Sequence, residues 1–160
     1  PDMVISLILG ASSCGGDHAI YPPPGTLQVL FDMQNIPPKK AAEIAASLLF
    51  SSSFIQENPV IFEELMARGM ESPASPQGYR RQAQATMDFD TFDRLPQIRT
   101  PTLVIAGTGD KSLPVENAEV LASRIPGAEL LLLDGVGHGF IWEAGDRANN
   151  AVLDFLRRHS

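Results

Sequence analysis

Residues Thr100 to Phe140 read TPTLVIAGTGDKSLPVENAEVLASRIPGAELLLLDGVGHGF, and this stretch decides the fold. Thr102 to Ala106 is a continuous apolar run rich in β-branched residues, too short for a free helix, ending at Gly107-Thr108-Gly109-Asp110. Leu130 to Leu133 is a second such run, ending at Asp134-Gly135-Val136-Gly137-His138. Unbroken apolar runs of this length are strands buried on both faces, as in a parallel sheet covered by helices. Between them Pro114 opens a segment with Val115, Ala118, Leu121, Ala122 and Ile125 at helical spacing, and Pro126-Gly127 closes it. A right-handed strand-helix-strand crossover brings both following loops to one edge of the sheet. Asp110 and His138 are therefore expected side by side, at the carboxyl ends of neighbouring parallel strands, where open α/β sheets place their chemistry.

The rest of the chain extends this frame in both directions. Val4 to Leu9 reads as another buried strand, ended by Gly10-Ala11-Ser12-Ser13-Cys14-Gly15-Gly16. Pro22-Pro23-Pro24-Gly25 reads as a rigid linker that cannot be helical. Three helical patterns follow: Pro38 to Phe50 with Ala41, Ile44, Ala45, Leu48 and Leu49 on one face; Pro59 to Arg68, stopped by Gly69; and a more polar one from Pro76 to Met87. Such a group between two sheet strands is an inserted unit, not a crossover. The expected division is a core strand and loop over 1–16, a helical unit over 17–95, and core strands and helices over 96–160. A final helix spans Glu143 to Arg158, with Val152, Leu153, Phe155 and Leu156 as its apolar face. The fold class is α/β.

The patterns Pro101-T-L-V-I-A-G-x-x-Asp110-x-x-x-Pro114, then Ile125-P-x-A-x-L-x-x-L-x-x-x-G-His138, then Val152-L-x-F-L, resemble the C-terminal portion of the α/β-hydrolase superfamily, near its esterases and lactonases. The resemblance is close from Arg99 onward and looser over the first sixteen residues and the middle. It implies a parallel hydrolase sheet with an inserted helical cap, Asp110 as triad acid and His138 as triad base. Phe140 and Trp142, just after the histidine, are candidates to line the acyl or alcohol pocket, against the plainer reading of packing beneath the last helix. The family's nucleophile stands on a G-x-S-x-G turn between strand and helix, upstream of acid and base. Ala11-Ser12-Ser13-Cys14-Gly15 has a related form with Ser13 at its centre, but Tyr21 and three prolines follow so soon that an elbow helix has no room. The nucleophile is therefore placed upstream of residue 1, and the 160 residues are read as a portion of a longer enzyme. A sheet cut at its centre leaves an unpaired strand edge, so the expected partner is the N-terminal portion of the same hydrolase or an exchanged copy of the chain.

Other residues have simpler readings. His18 is a loop histidine and His159 a solvated tail; Asp134 forms a turn. Asp88, Asp90 and Asp93 are a wet acidic run without histidine or cysteine at ligand spacing. Cys14, the single cysteine, is a small buried hydrophobe, consistent with a reducing, cytoplasmic setting. A formal net charge of −7 argues against nucleic acid and anionic membranes as partners. No run approaches the roughly 18 apolar residues of a membrane span. The expected function is hydrolysis of a small-molecule carboxylic ester or related acyl substrate, with no metal or organic cofactor. A dehalogenase, haloperoxidase or C–C hydrolase of the same fold stands as the alternative, and a non-catalytic binding protein as the alternative of another class.

Overall fold

In a computed structural model of the chain, residues 3–32, 35–71 and 75–159 are described. Three parallel strands form one sheet in the order β1 (Leu7–Gly10), β2 (Thr102–Gly107), β3 (Glu129–Leu133). The register pairs Leu7 with Thr102 and Gly10 with Ile105, and on the other side Leu103 with Glu129 and Gly107 with Leu133. Every residue of the central β2 is buried, as its unbroken apolar sequence requires. Because side chains alternate along a strand, β2 feeds two separate cores. Leu103 and Ile105 pack with Leu133, Val136, Phe140, Ala148 and Phe155. Val104 and Ala106 pack with Cys14, Leu95, Ala118, Leu121 and Ile125. The first core lies under the C-terminal helix α8 (Gly145–Arg158), the second under α6 (Glu116–Arg124) and a 3₁₀ turn over Phe92–Gln97. Emptying one such position, as in Leu→Ala, typically costs about 2–5 kcal/mol, so these two layers are what hold the sheet flat between its helices.

Among the described residues, five α-helices lie between β1 and β2: α1 (Pro24–Asp32), α2 (Pro38–Leu49), α3 (Ser52–Glu57), α4 (Pro59–Glu71) and α5 (Pro76–Asp88). The chain enters and leaves this unit through one clasp. Gly16 N donates to Phe89 O at 2.9 Å, and the Thr91 amide and hydroxyl both donate to Cys14 O, at 2.8 and 3.0 Å. Serines start two of the helices: Ser51 Oγ accepts from Phe54 N and Ser75 Oγ from Gly78 N, each at 3.1 Å. Phe50 and Phe54 stack inside the unit, and Phe62 meets Phe50 edge-on.

Several boundaries differ from the sequence reading, each for a local reason. The first strand is Leu7–Gly10, not Val4–Leu9; Val4 and Ile5 are exposed. The proline run is not wholly a linker. Pro24 and Gly25 open α1, since the first turn of a helix needs no N–H donors, and the amides of Thr26 and Leu27 turn back to Pro23 O. The apolar pattern ending at Phe50 conceals a break, with Ser51 starting α3 as a separate helix. Gly69 does not end α4, which continues to Glu71. The last helix is preceded by a short α7 (Phe140–Glu143) and a kink at Ala144. None of the described helices is long and apolar enough to cross a membrane.

Few polar side chains are buried inside this apolar frame. Asn117 on α6 is fully buried. Its amide donates to Ile20 O at 2.7 Å and Pro114 O at 2.9 Å, while Oδ1 accepts from Ile20 N at 2.9 Å. The side chain thus substitutes for a strand partner and ties the segment leaving β1 to α6. Asn117→Ala should lower stability by about 1–3 kcal/mol, because both backbone groups of Ile20 lose their partner, while Pro114 O keeps the Asn117 backbone N–H; the urea midpoint measures it. Cys14 is likewise sealed in the core, and burial pushes its thiol above the ordinary range. A thiol reagent such as DTNB at neutral pH should therefore react with Cys14 only on the timescale of unfolding; rapid stoichiometric reaction in native buffer would contradict the burial.

Candidate active site

The loops after β2 and β3 are bonded directly to each other. Thr108 N donates to Leu133 O at 3.0 Å, Gly109 N to Val136 O at 2.9 Å, and Gly135 N to Thr108 Oγ1 at 2.8 Å. This closeness depends on Gly107, where an added Cβ would lie 2.1 Å from Val136 O. Asp110 and His138 come off this joined pair of loops. The Asp110 side chain is sealed from solvent. Its Oδ1 accepts from the amides of Ser112 and Leu113, both at 2.8 Å, and Oδ2 lies 2.7 Å from His138 Nδ1. With a carboxylate oxygen opposite, Nδ1 carries the proton, which leaves the Nε2 lone pair free to accept one. The imidazole remains about one-third exposed, at 32% of its side-chain surface.

His138 borders two adjoining cavities of about 490 and 460 Å³. The first runs from Ser12 and Ser13 after β1 to Phe89 at the end of α5; the second reaches Leu30 of α1 and Tyr79 of α5. Gln82, Thr86 and Ser112 border both. Gln82 and Thr86 are one helical turn apart, which puts them on one face of α5. Tyr79 donates a hydrogen bond to Leu30 O, joining α5 to α1, and burial raises its phenol above the usual range.

The remaining sequence candidates lie elsewhere. Phe140 is buried in the core beneath α8, its ring so close to Gly10 that a Cβ there would come within 2.8 Å of it. Trp142 is half-exposed and meets Phe50 edge-on. Neither borders a cavity that His138 borders. Ser13 Oγ accepts from Gly15 N at 3.4 Å, and Ser112 Oγ donates to Leu48 O at 3.1 Å, so the Ser112 proton is engaged away from the imidazole. After Ser13 the chain makes one 3₁₀ turn, Gly16–His18, and no α-helix begins until Pro24. His18 stacks on Phe92 at 3.5 Å, with the Arg124 guanidinium 4.4 Å from the Phe92 ring centroid. His159 tilts against Phe155. Asp134 accepts from Thr108 Oγ1 at 3.3 Å, the turn role read from sequence. No group of histidine, cysteine or carboxylate side chains able to hold a metal occurs among the described residues.

Glu143 was not legible as a site residue. Its Oε1 accepts from Gly137 N at 3.1 Å and from Ser51 N at 2.8 Å. A glutamate at the end of a helical turn carries no sequence signal for this, since one of its partners lies 92 positions away. Gln82 and Thr86 were hidden similarly, as ordinary polar residues of an exposed helix.

A family model described as TAP-like protein, one of the α/β-hydrolase families, matches residues 59–160. The chain belongs to the α/β-hydrolase superfamily. It is 33% identical over 108 residues to a putative carbamate hydrolase, RutD, of Caulobacter sp. (strain K31), an alignment covering 68% of the chain and 40% of that protein. It is 28% identical over 171 residues to the 2-hydroxy-6-oxononadienedioate/2-hydroxy-6-oxononatrienedioate hydrolase of Burkholderia vietnamiensis, covering 99% of the chain and 56% of that relative. Among solved structures, a thermophilic esterase from Thermogutta terrifontis superposes with a TM-score of 0.78 at 25% identity, covering 98% of the chain and 57% of the esterase. These relatives are hydrolases, and the chain spans about half their length.

Gly107→Ala tests how the two loops are joined. The added methyl has only backbone oxygen to meet, so the loops must part and the Asp110–His138 bond should lengthen. The expected outcome is loss of the far-downfield Nδ1 proton resonance of His138 in the proton NMR spectrum, with secondary structure retained by circular dichroism.

Proposed function

We propose that this chain supplies the acid and base of a serine hydrolase acting on carboxylic esters or related acyl substrates, with the nucleophilic serine contributed by sequence upstream of residue 1. The observation that carries the reading is the 2.7 Å contact between a sealed Asp110 carboxylate and an imidazole open to a cavity. In this reading His138 Nε2 takes the serine proton as the hydroxyl attacks the acyl carbon, and Asp110 stabilises the imidazolium that forms. The imidazolium then protonates the leaving alcohol, giving an acyl-enzyme. Water, deprotonated by the same nitrogen, hydrolyses that intermediate and returns the serine. No metal or organic cofactor enters these steps. Helices α1–α5 act as a cap whose α5 face, with Gln82 and Thr86, lies against the substrate.

The outer edge of β1 has no partner strand among the described residues, and Met3 and Ile5 beside it are exposed. We place the nucleophile-bearing portion of the enzyme on that edge, either as the same polypeptide or through an exchanged copy, and expect the 160 residues alone to be inactive. The lone buried cysteine fits a reducing compartment, so the reading places the protein in the cytoplasm.

A second reading, carbon–carbon bond hydrolysis in the same fold, is favoured by the Burkholderia relative that aligns over 99% of the chain. That relative's name specifies a dicarboxylate. The described residues bordering the two cavities include no lysine or arginine to hold a carboxylate, which favours the uncharged ester. A fluorophosphonate probe and a panel of p-nitrophenyl esters, applied to the full-length gene product, test the proposal. The wild type should be labelled and turn over esters; His138→Ala should abolish labelling, and His138→Ala and Asp110→Asn should each lower turnover by about a thousandfold or more. Full-length protein that is neither labelled nor active would favour a non-catalytic binding role.

A further inference from the structure

His138 is held from both sides by one short piece of the helical unit, and one carboxylate makes half of that grip. Gly139 N, just after the histidine, donates to Leu49 O at 2.7 Å. Gly137 N, just before it, donates to Glu143 Oε1, and the same oxygen accepts from Ser51 N. Leu49 ends α2 and Ser51 caps α3, so the turn bearing His138 rests on the α2–α3 junction. The approach is too close for side chains on either neighbour. A Cβ at Gly137 would lie 2.7 Å from Glu143 Oε1 and 2.8 Å from Leu49 O, and one at Gly139 would lie 2.4 Å from the Phe50 ring. Hydrogen bonds to a carboxylate are shorter and roughly twice as strong as neutral ones. Neither amide is part of a helix ladder that could fix it otherwise.

From this geometry we infer that Glu143 is a positioning residue: its carboxylate latches the His138 turn to the α2–α3 junction, so the seating of the helical unit sets where the imidazole points. Asp110 fixes the ring from the Nδ1 side, while Glu143 fixes the backbone from which the ring hangs. The inference rests on the proposed hydrolase reading for its kinetic consequence, but the latch itself is a property of backbone amides and is measurable without turnover.

The test uses the full-length protein and three variants. Glu143→Ala removes the acceptor. Glu143→Gln keeps it, because an amide oxygen has two lone pairs and can accept from both Gly137 and Ser51. Ser51→Pro deletes one donor while leaving Glu143 in place. Ser51 has φ −67° and Phe50 before it has φ −122°, ψ 150°, both compatible with proline. Ser51→Ala, which loses the helix cap but keeps the N–H, is its control. The expected result for Glu143→Ala is a fall in kcat of up to about a hundredfold with KM little changed, the order of cost when a reacting group is misplaced by about 1 Å. Glu143→Gln should retain most activity, and Ser51→Pro should lose more than Ser51→Ala. Amide exchange at Gly137 and Ser51 should accelerate in Glu143→Ala and not in Glu143→Gln. If Glu143→Ala does not fold, the Ser51 pair and Glu143→Gln decide. Unchanged kcat, or unchanged exchange at both amides, overturns the latch. A wild type without hydrolase activity overturns the proposed function instead, and the exchange data then judge the latch alone.

Discussion

Everything at this site depends on how closely the loops after β2 and β3 can approach. Burying a carboxylate is costly unless its oxygens find donors, and an unpaired buried charge costs several kcal/mol. Asp110 meets that requirement with two amide donors on one oxygen and the imidazole on the other. Hydrogen bonds to charged groups contribute about 1.5–3 kcal/mol each, so three of them are enough to offset the penalty and to leave the carboxylate one well-defined orientation. The arrangement exists only because Gly107 has no side chain and because Thr108 and Gly109 bond across to the next loop. Parallel pairing of β2 with β3 delivers the two loops to the same edge.

The same physics explains what was legible in the sequence. A strand buried on both faces has no polar alternation to blur it, so TLVIA announces itself; LLLL reads the same way, but in the structure Leu130 is exposed and only Leu133 of that run is fully buried. The turn residues after each run mark where a functional group emerges. The meeting of Asp110 with His138 is expected for that reason, and the two side chains lie 2.7 Å apart. The helical unit was harder. Pro24 and Phe50 look like a breaker and an interior residue, yet one opens α1 and the other sits between α2 and α3. Only tertiary packing distinguishes proline at a first helical turn from proline in a linker. Phe140 shows the opposite limit: beside a histidine it suggested a pocket wall, but Gly10 leaves a space on β1 that its ring fills from the core side.

Residues that connect distant segments left no local trace. Asn117 reads as one more polar residue on α6, and its role is visible only once Ile20 arrives beside it. Glu143 is similar, because its partners are backbone amides on the His138 turn and on α3. Backbone groups carry no sequence identity, so a side chain recruited to satisfy them is invisible to pattern reading. Both residues join the inserted helices, or their entry segment, to the sheet, and neither would be needed in a fold whose strands followed one another directly.

This division of labour extends to α5. Its residues are largely exposed, and its few apolar positions bury little, which leaves it poorly held if it were an ordinary surface helix. Tyr79 tethers it to α1, and the i,i+4 bond from Gln84 to Asp88 supports only the helix itself. An element with so little burial opens locally at lower cost than the strands beneath it. Its polar face makes sense as a wall of the cavities that His138 borders, where a Gln and a Thr can meet a polar group that core residues could not accommodate. The sheet then fixes Asp110 and His138, and the weakly held helix lines the cavities beside the imidazole. The α2–α3 junction is bonded to the turn on both sides of His138, directly at Gly139 and through Glu143 at Gly137.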